Sequence, residues 1–189
     1  NLQRQIAHDV GRIGVPKAES AARSVAAINP NVQVRALHER VDAVRLLDLV
    51  ADADVVVDCS DNFATRQAVN AACVARVRPL VAGAAIGFDG QISVYDPRAA
   101  ASPCYACAFP PDSSFEDVAC SRMGVFAPLV GIIGSMQAAE ALKLMARIGT
   151  SVAGRLQMLD ARSMEWTEIL MSRDPDCPVC RARPEPRHQ

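Results

Sequence analysis

Apolar residues recur along this chain at helical spacing in several stretches, with short unbroken or alternating apolar runs between them. After Pro16, which can open a helix, Ala18, Ala21, Val25 and Ile28 fall on one face until Asn29 and Pro30 stop it. Residues 32–37 alternate in the manner of a half-buried strand, and residues 42–51 carry Val44, Leu47 and Val50 at helical spacing. Residues 54–59, Asp-Val-Val-Val-Asp-Cys, do not alternate and are rich in β-branched side chains, which predicts a parallel strand covered on both faces. Val69, Cys73 and Val77 then mark a helix face over 63–77, and residues 79–84 read as the next short strand. This repeated alternation predicts an open, mostly parallel α/β sheet.

Beyond Gly90 the pattern changes. Residues 91–95 continue as a strand and lead into a long Pro-, Ser- and Ala-containing stretch, of a length that is usually functional or pinned. Residues 124–147 form the most apolar segment. Gln137, Glu140 and Lys143 interrupt it, leaving an unbroken part too short to cross a bilayer, so a core helix is expected there. Residues 155–160 and 164–171 read as a terminal antiparallel pair, and 181–189 as a frayed tail. One domain over residues 1–180 with an inserted loop is the predicted organisation.

Composition narrows the partners. Twenty basic and twenty-one acidic side chains give a net charge of −1, so no global field draws the surface to nucleic acid or anionic lipid, and any anion site must be local. No basic segment followed by an apolar run marks export, and a cytoplasmic location is expected. The seven cysteines would then remain thiols unless a metal or a reaction claims them. Lysine is scarce, occurring only at Lys17 and Lys143, which draws notice to each position.

Cys104-Tyr-Ala-Cys107 and Cys177-Pro-Val-Cys180 each present two thiolates at zinc-knuckle spacing. Together they supply the four soft ligands of a closed structural Zn²⁺ site, the alternative being a redox Cys-x-x-Cys. Asp61 lies where the 54–59 strand ends and a helix begins, a place suited to a Mg²⁺ ligand; Ser60 or Asp61 as a plain helix cap is the equal alternative. Lys17 sits in a first helical turn, where the dipole opposes a cation unless a phosphate joins it; a simple exposed lysine is the alternative. Arg4, within Asn1-Leu-Gln-Arg-Gln5, can fork onto phosphate oxygens while the neighbouring amides orient a ligand. His8, His38 and His188 show no ligand spacing, and Trp166 is read as a core or interface aromatic.

Taken in order, residues 1–5, Gly14-x-Pro16-Lys17, Asn29-Pro30, Asp-Cys-Ser-Asp-Asn-Phe-Ala-Thr-Arg at 58–66, Gly90-Gln91 and the two cysteine pairs resemble the ThiF/MoeB family. That family is related to ubiquitin-activating enzymes. The resemblance implies a Rossmann-like α/β domain, with helices on both faces of its sheet, that uses ATP to adenylate the C-terminal glycine of a small ubiquitin-like sulfur-carrier protein for molybdopterin or thiamine biosynthesis. It implies ATP contacts from Asn1, Arg4, Gln5, Lys17, Asp61 and Asn62, with Arg4 and Lys17 stabilising the departing pyrophosphate, Asp61 holding Mg²⁺, and a homodimeric assembly. In some relatives the crossover loop, here 108–123, carries a reactive cysteine at the place of Cys120, where Arg122 would favour a thiolate. The family's Gly-rich nucleotide loop and acidic ribose-binding residue belong to a first βαβ unit that would precede Asn1. Two readings stand against the enzyme: a zinc-stabilised protein-binding module of the same fold, and a nucleotide-dependent dehydrogenase, which would not explain the cysteine pairs.

Overall fold

The computed structural model describes residues 1–112 and 124–183, which form two compact units, Asn1–Val41 and Asp42–Gln189. In the first unit a short 3₁₀ turn at Val10–Arg12 precedes helix α1, Lys17–Ile28, which begins directly after Pro16. The apolar face predicted for α1 does not build a core: Ser20 is its buried residue, and Ile28 is 86% exposed. Polar contacts around Ser20 hold the unit instead. Arg12 Nη1 donates to the Ser20 carbonyl and to Ser24 Oγ, both at 2.7 Å; Ser24 Oγ donates to the Ala7 carbonyl at 2.6 Å; His8 Nδ1 lies 2.8 Å from Ser20 Oγ. The strand expected at 32–37 is not formed. A strand requires a hydrogen-bonded neighbour, none of the described strands pairs with this segment, and Val32 and Val34 are exposed.

The second unit opens with α2, Ala43–Ala51, whose first turn is capped by Asp42 Oδ1 accepting the Arg45 N–H. Strand β1, Val56–Asp58, leads through α3, Phe63–Arg76, to β2, Leu80–Ile86, and these two strands pair in parallel. Strand β3, Asp89–Tyr95, is followed by a single helical turn, α4, Tyr105–Ala108, then by α5, Ala127–Ala146, and by β4, Arg155–Asp160, and β5, Glu165–Leu170. The sheet order is β1-β2-β3-β4-β5.

The sheet is therefore mixed rather than mostly parallel: β1–β2 is its one parallel pair among the described residues, and the other three are antiparallel. The reason is local. Gly87, at φ 55°, and Phe88 alone connect Ile86 to Asp89, and such a tight turn reverses the chain where a crossover helix would have kept it parallel. The predicted α/β class and the terminal antiparallel pair both hold.

Alternation along β2 and β3 sends side chains to two covered faces. Leu80, Ala82 and Tyr95 pack with Val50 of α2, Val69, Ala72 and Cys73 of α3, and Tyr105. On the opposite face Val81, Ile92 and Val94 meet Met136, Ala141 and Leu144, while Leu129 and Ile133 lie against Leu159 and Ala161. A Cβ at Gly90 would stand 2.7 Å from Leu129 Cδ1, so the absence of a side chain there lets α5 approach the sheet.

The expected core helix is α5, with an inversion. By length and composition alone it could cross a membrane. Yet its polar Gln137 and Glu140 are buried, whereas Leu142 and Met145 are 62% and 58% exposed. Glu140 accepts from Ser151 Oγ and the Val152 N–H and pairs with Lys143, so the interrupting residues help to dock the helix alongside Leu129 and Ile133. Trp166, 45% exposed on β5, is not a core residue.

Candidate functional site

Cys104 caps α4 and Cys107 lies in its first turn, so one helical turn aims both sulfurs the same way. Cys177 and Cys180 come from the turn after β5, and all four Sγ atoms lie within 4.8 Å of one another. The close pairs are 3.8 Å (Cys104–Cys107), 3.7 Å (Cys104–Cys177) and 3.5 Å (Cys107–Cys180). A tetrahedron with metal–sulfur bonds of about 2.3 Å has edges of about 3.8 Å. The four thiols thus fit one ion, and none is oxidised to a disulfide.

The surroundings favour thiolate at Cys107, whereas burial raises Cys180. The Cys104 thiol donates to Cys107, and the N–H groups of Cys104 and Asp174 add to it, holding Cys107 well below the ordinary thiol range. Cys104 is raised, first because it is the donor to Cys107 and then by burial. Buried Asn70 bridges the site to α3: its Nδ2 donates to Cys104 Sγ and its Oδ1 accepts the Tyr105 N–H at 2.9 Å. Arg183, inside the stretch expected to fray, is buried and donates to the carbonyls of Ala99, Ala100 and Ser102. Arg173 reaches the carbonyls of Ala100 and Cys180, so two guanidiniums tie the second cysteine pair to the 99–102 segment.

At the carboxyl end of β1, Asp58 Oδ1 accepts the Ser60 N–H at 2.8 Å and so folds the turn. The cap of α3 is Asn62, whose Oδ1 accepts the Thr65 N–H at 2.8 Å, and neither Ser60 nor Asp61 takes that role. Asp61 is exposed and has no ion pair among the described residues, leaving its carboxylate available at the strand's end. Asn62 commits its side-chain oxygen to the helix and keeps only its amide nitrogen for a ligand.

In the first unit Asn1 holds a tight N-terminal turn, its carbonyl accepting the N–H groups of Arg4 and Gln5. Lys17 is exposed at the first position of α1, and among the described residues neither Arg4 nor Lys17 forms an ion pair. Cys120 and Arg122 lie outside the described residues. Two groups that the motif reading did not assign emerge around the Asp61 turn. Arg66 and Gln137 are both buried with their polar ends on backbone carbonyls, and a polar residue on a helix carries no sequence signal that it turns inward.

Comparison with known proteins places this geometry. The ThiF family profile matches residues 1–179. The sulfur carrier protein ThiS adenylyltransferase of Escherichia coli K12 is 43% identical over 180 residues, covering 95% of this chain and 70% of that protein. The molybdopterin-synthase adenylyltransferase of the same strain is 41% identical over 182 residues, with 95% and 72% covered. The SAMP-activating enzyme E1 of Haloferax volcanii is 43% identical over 181 residues, with 95% and 66% covered. Among solved structures, E. coli MccB with ATP superposes with a TM-score of 0.77 at 22% identity, covering 95% of this chain and 55% of MccB, a likeness of fold alone. A profile matched over nearly the whole length, together with relatives above 40% identity, means that the chain belongs to the ThiF family.

Proposed function

We propose that this chain is the adenylating part of an ATP-dependent sulfur-carrier protein adenylyltransferase, a nucleotidyltransferase. It joins the C-terminal carboxylate of a small ubiquitin-like carrier, of the ThiS or molybdopterin-synthase type, to the α-phosphate of ATP and releases pyrophosphate. The observation that carries this reading is the exposed Asp61 carboxylate at the end of β1, without an ion pair among the described residues and left available because Asn62 caps the following helix. The relatives named as adenylyltransferases for such carriers support it.

The attacking carboxylate is already an anion, so no side chain has to remove a proton. Arg4 and Lys17 hold phosphate oxygens and stabilise the charge that develops on the leaving pyrophosphate, while Asn1, Gln5 and Asn62 orient the nucleotide. Asp61 supplies the hard oxygen ligand that Mg²⁺ prefers, and the ion, when bound, supplies charge neutralisation at the phosphates. The chain's own contribution is positioning and electrostatics. The four cysteines would hold Zn²⁺ through sulfur alone, which would make that site structural. Cys120, an acyl acceptor in some relatives, is not required for the acyl-adenylate step.

A cavity of about 550 Å³ over the face of β2–β5, lined by Ala84, Ile86, Gln91, Met158 and Thr167, supports docking of the carrier beside the sheet. Exposed Leu142, Met145 and Ile148 support a homodimer interface at the end of α5. ATP–pyrophosphate exchange with carrier present tests the reading: in the intact protein Asp61→Asn abolishes exchange, and near-normal exchange removes Asp61 from its role.

A further inference from the structure

Gln137 is an odd residue for its place. It is 4% exposed, midway along the most apolar helix of the chain, and a Cβ on the facing Gly83 would lie 2.4 Å from its Cδ. Burying an amide there is unfavourable unless its groups are matched, and they are. Its Nε2 donates to the Asp58 carbonyl at 2.9 Å and to the Val81 carbonyl at 3.3 Å, while its Oε1 lies 3.6 Å from the Cys59 thiol that donates to it. From the other side, the buried Arg66 Nη2 donates to the Ser60 carbonyl and, at 3.0 Å, to the Gly83 carbonyl.

The carbonyls of Asp58 and Ser60 are therefore gripped by two different helices, and the Asp58 carboxylate holds the Ser60 N–H between them. Every one of these fixed points lies within three residues of Asp61, which itself contributes no side-chain bond to the turn. The same two side chains also reach the Val81 and Gly83 carbonyls of β2, so the turn beside Asp61 is fixed against the sheet.

We propose that Gln137 is a positioning residue: its buried amide, working with Arg66, sets the Asp58–Asp61 backbone so that the Asp61 carboxylate is presented in one orientation to Mg²⁺. This deepens the reading of Asp61 given above and rests on it. Groups that orient a metal ligand without touching the metal typically change its affinity by about 10- to 100-fold when removed. A residue that merely fills the core would change stability and leave metal affinity alone.

The test uses the intact protein and Mn²⁺ as the probe, its affinity read by electron paramagnetic resonance with ATP present. Gln137→Met keeps length and apolar packing but removes both donors. The expected result, in a variant with unchanged metal content at the cysteines and a cooperative melt, is a Mn²⁺ affinity weakened about 10- to 100-fold. The KM for Mg²⁺–ATP rises in step, and kcat at saturating metal falls much less. If Gln137→Met does not fold, Arg66→Lys probes the same turn from α3 and carries the same expectation. Asp61→Asn is measured alongside. Loss of affinity in Asp61→Asn with wild-type affinity in the folded Gln137 or Arg66 variant overturns the positioning role alone. Wild-type affinity in Asp61→Asn itself removes the assignment of Asp61, and this proposal with it.

Discussion

Withdrawing metal from the four-cysteine site is expected to release the C-terminal turn while leaving the sheet folded. Ordering residues 174–183 costs on the order of 10–20 kcal/mol at about 1–2 kcal/mol per residue. The apolar return is small, since Cys177, Cys180 and Val179 are what this turn brings to the cluster, contributing about 3–4 kcal/mol. The carbonyl contacts of Arg173 and Arg183 add about 1 kcal/mol each, or roughly 5 kcal/mol together. About 1–12 kcal/mol remains uncovered, and a thiolate-bound zinc, at roughly 10–16 kcal/mol in small peptides, is of the size to cover it. Hydrogen exchange before and after chelation under reducing conditions, with metal content determined in parallel, reads the result. The Arg181 and Arg183 amides, bonded to the Cys177 and Cys180 carbonyls, lose protection, as does Cys107 on Cys104. The β2–β3 ladder keeps its protection. Undiminished protection of Arg181 and Arg183 in fully reduced, metal-free protein would refute the reasoning.

Gly90→Ala forces a methyl against Leu129 and Ile133 and is expected to destabilise the protein by about 1–3 kcal/mol, seen as a lower urea midpoint; an unchanged midpoint contradicts the close approach of α5. Cys59 is raised above the ordinary thiol range by desolvation and by Asp58. Because the thiolate is the nucleophile, a raised pKa leaves less of it at a given pH, so Cys59 alkylation by iodoacetamide lags free cysteine at pH 8 and catches up only as pH climbs past the ordinary thiol range. Equal rates at pH 8, followed by peptide mapping, count against the placement of Cys59 beside Asp58.

Much of the second unit is legible in the residues because local pattern and tertiary context agree there. The unbroken Val-Val-Val run gives a parallel β1, although Val57 is exposed and the strand is not covered on both faces; Val69 and Cys73 give the buried face of α3, while Val77 lies exposed just past its end; and the paired cysteines converge as their spacing suggests. Where the reading departs, a partner or a direction is at stake. The alternation at 32–37 is real, but alternation does not supply a neighbouring strand. The face of α1 is made of small side chains, and Ser20 with its polar partners takes the buried position that Val25 and Ile28 were expected to hold. Gln137 and Glu140 look like interruptions of an apolar helix, yet they turn inward and add polar contacts to the apolar packing of Leu129 and Ile133. That Asp61 follows a strand end is legible in the sequence; the buried contacts that fix the turn beside it are not, since Gln137 reaches the Asp58 carbonyl across 79 residues.

The turn at Gly87 and Phe88 also imposes an order in time. It lets β2 and β3 meet across almost no intervening chain, whereas Ser93 finds Arg155 across 62 residues and Cys104 finds Cys177 across 73. Short closures are entropically and kinetically favoured over long ones. The hairpin is thus expected to close early and the cysteine quartet late, after β4 and β5 have returned the chain. On that order a metal would seal a structure already formed and would not nucleate it.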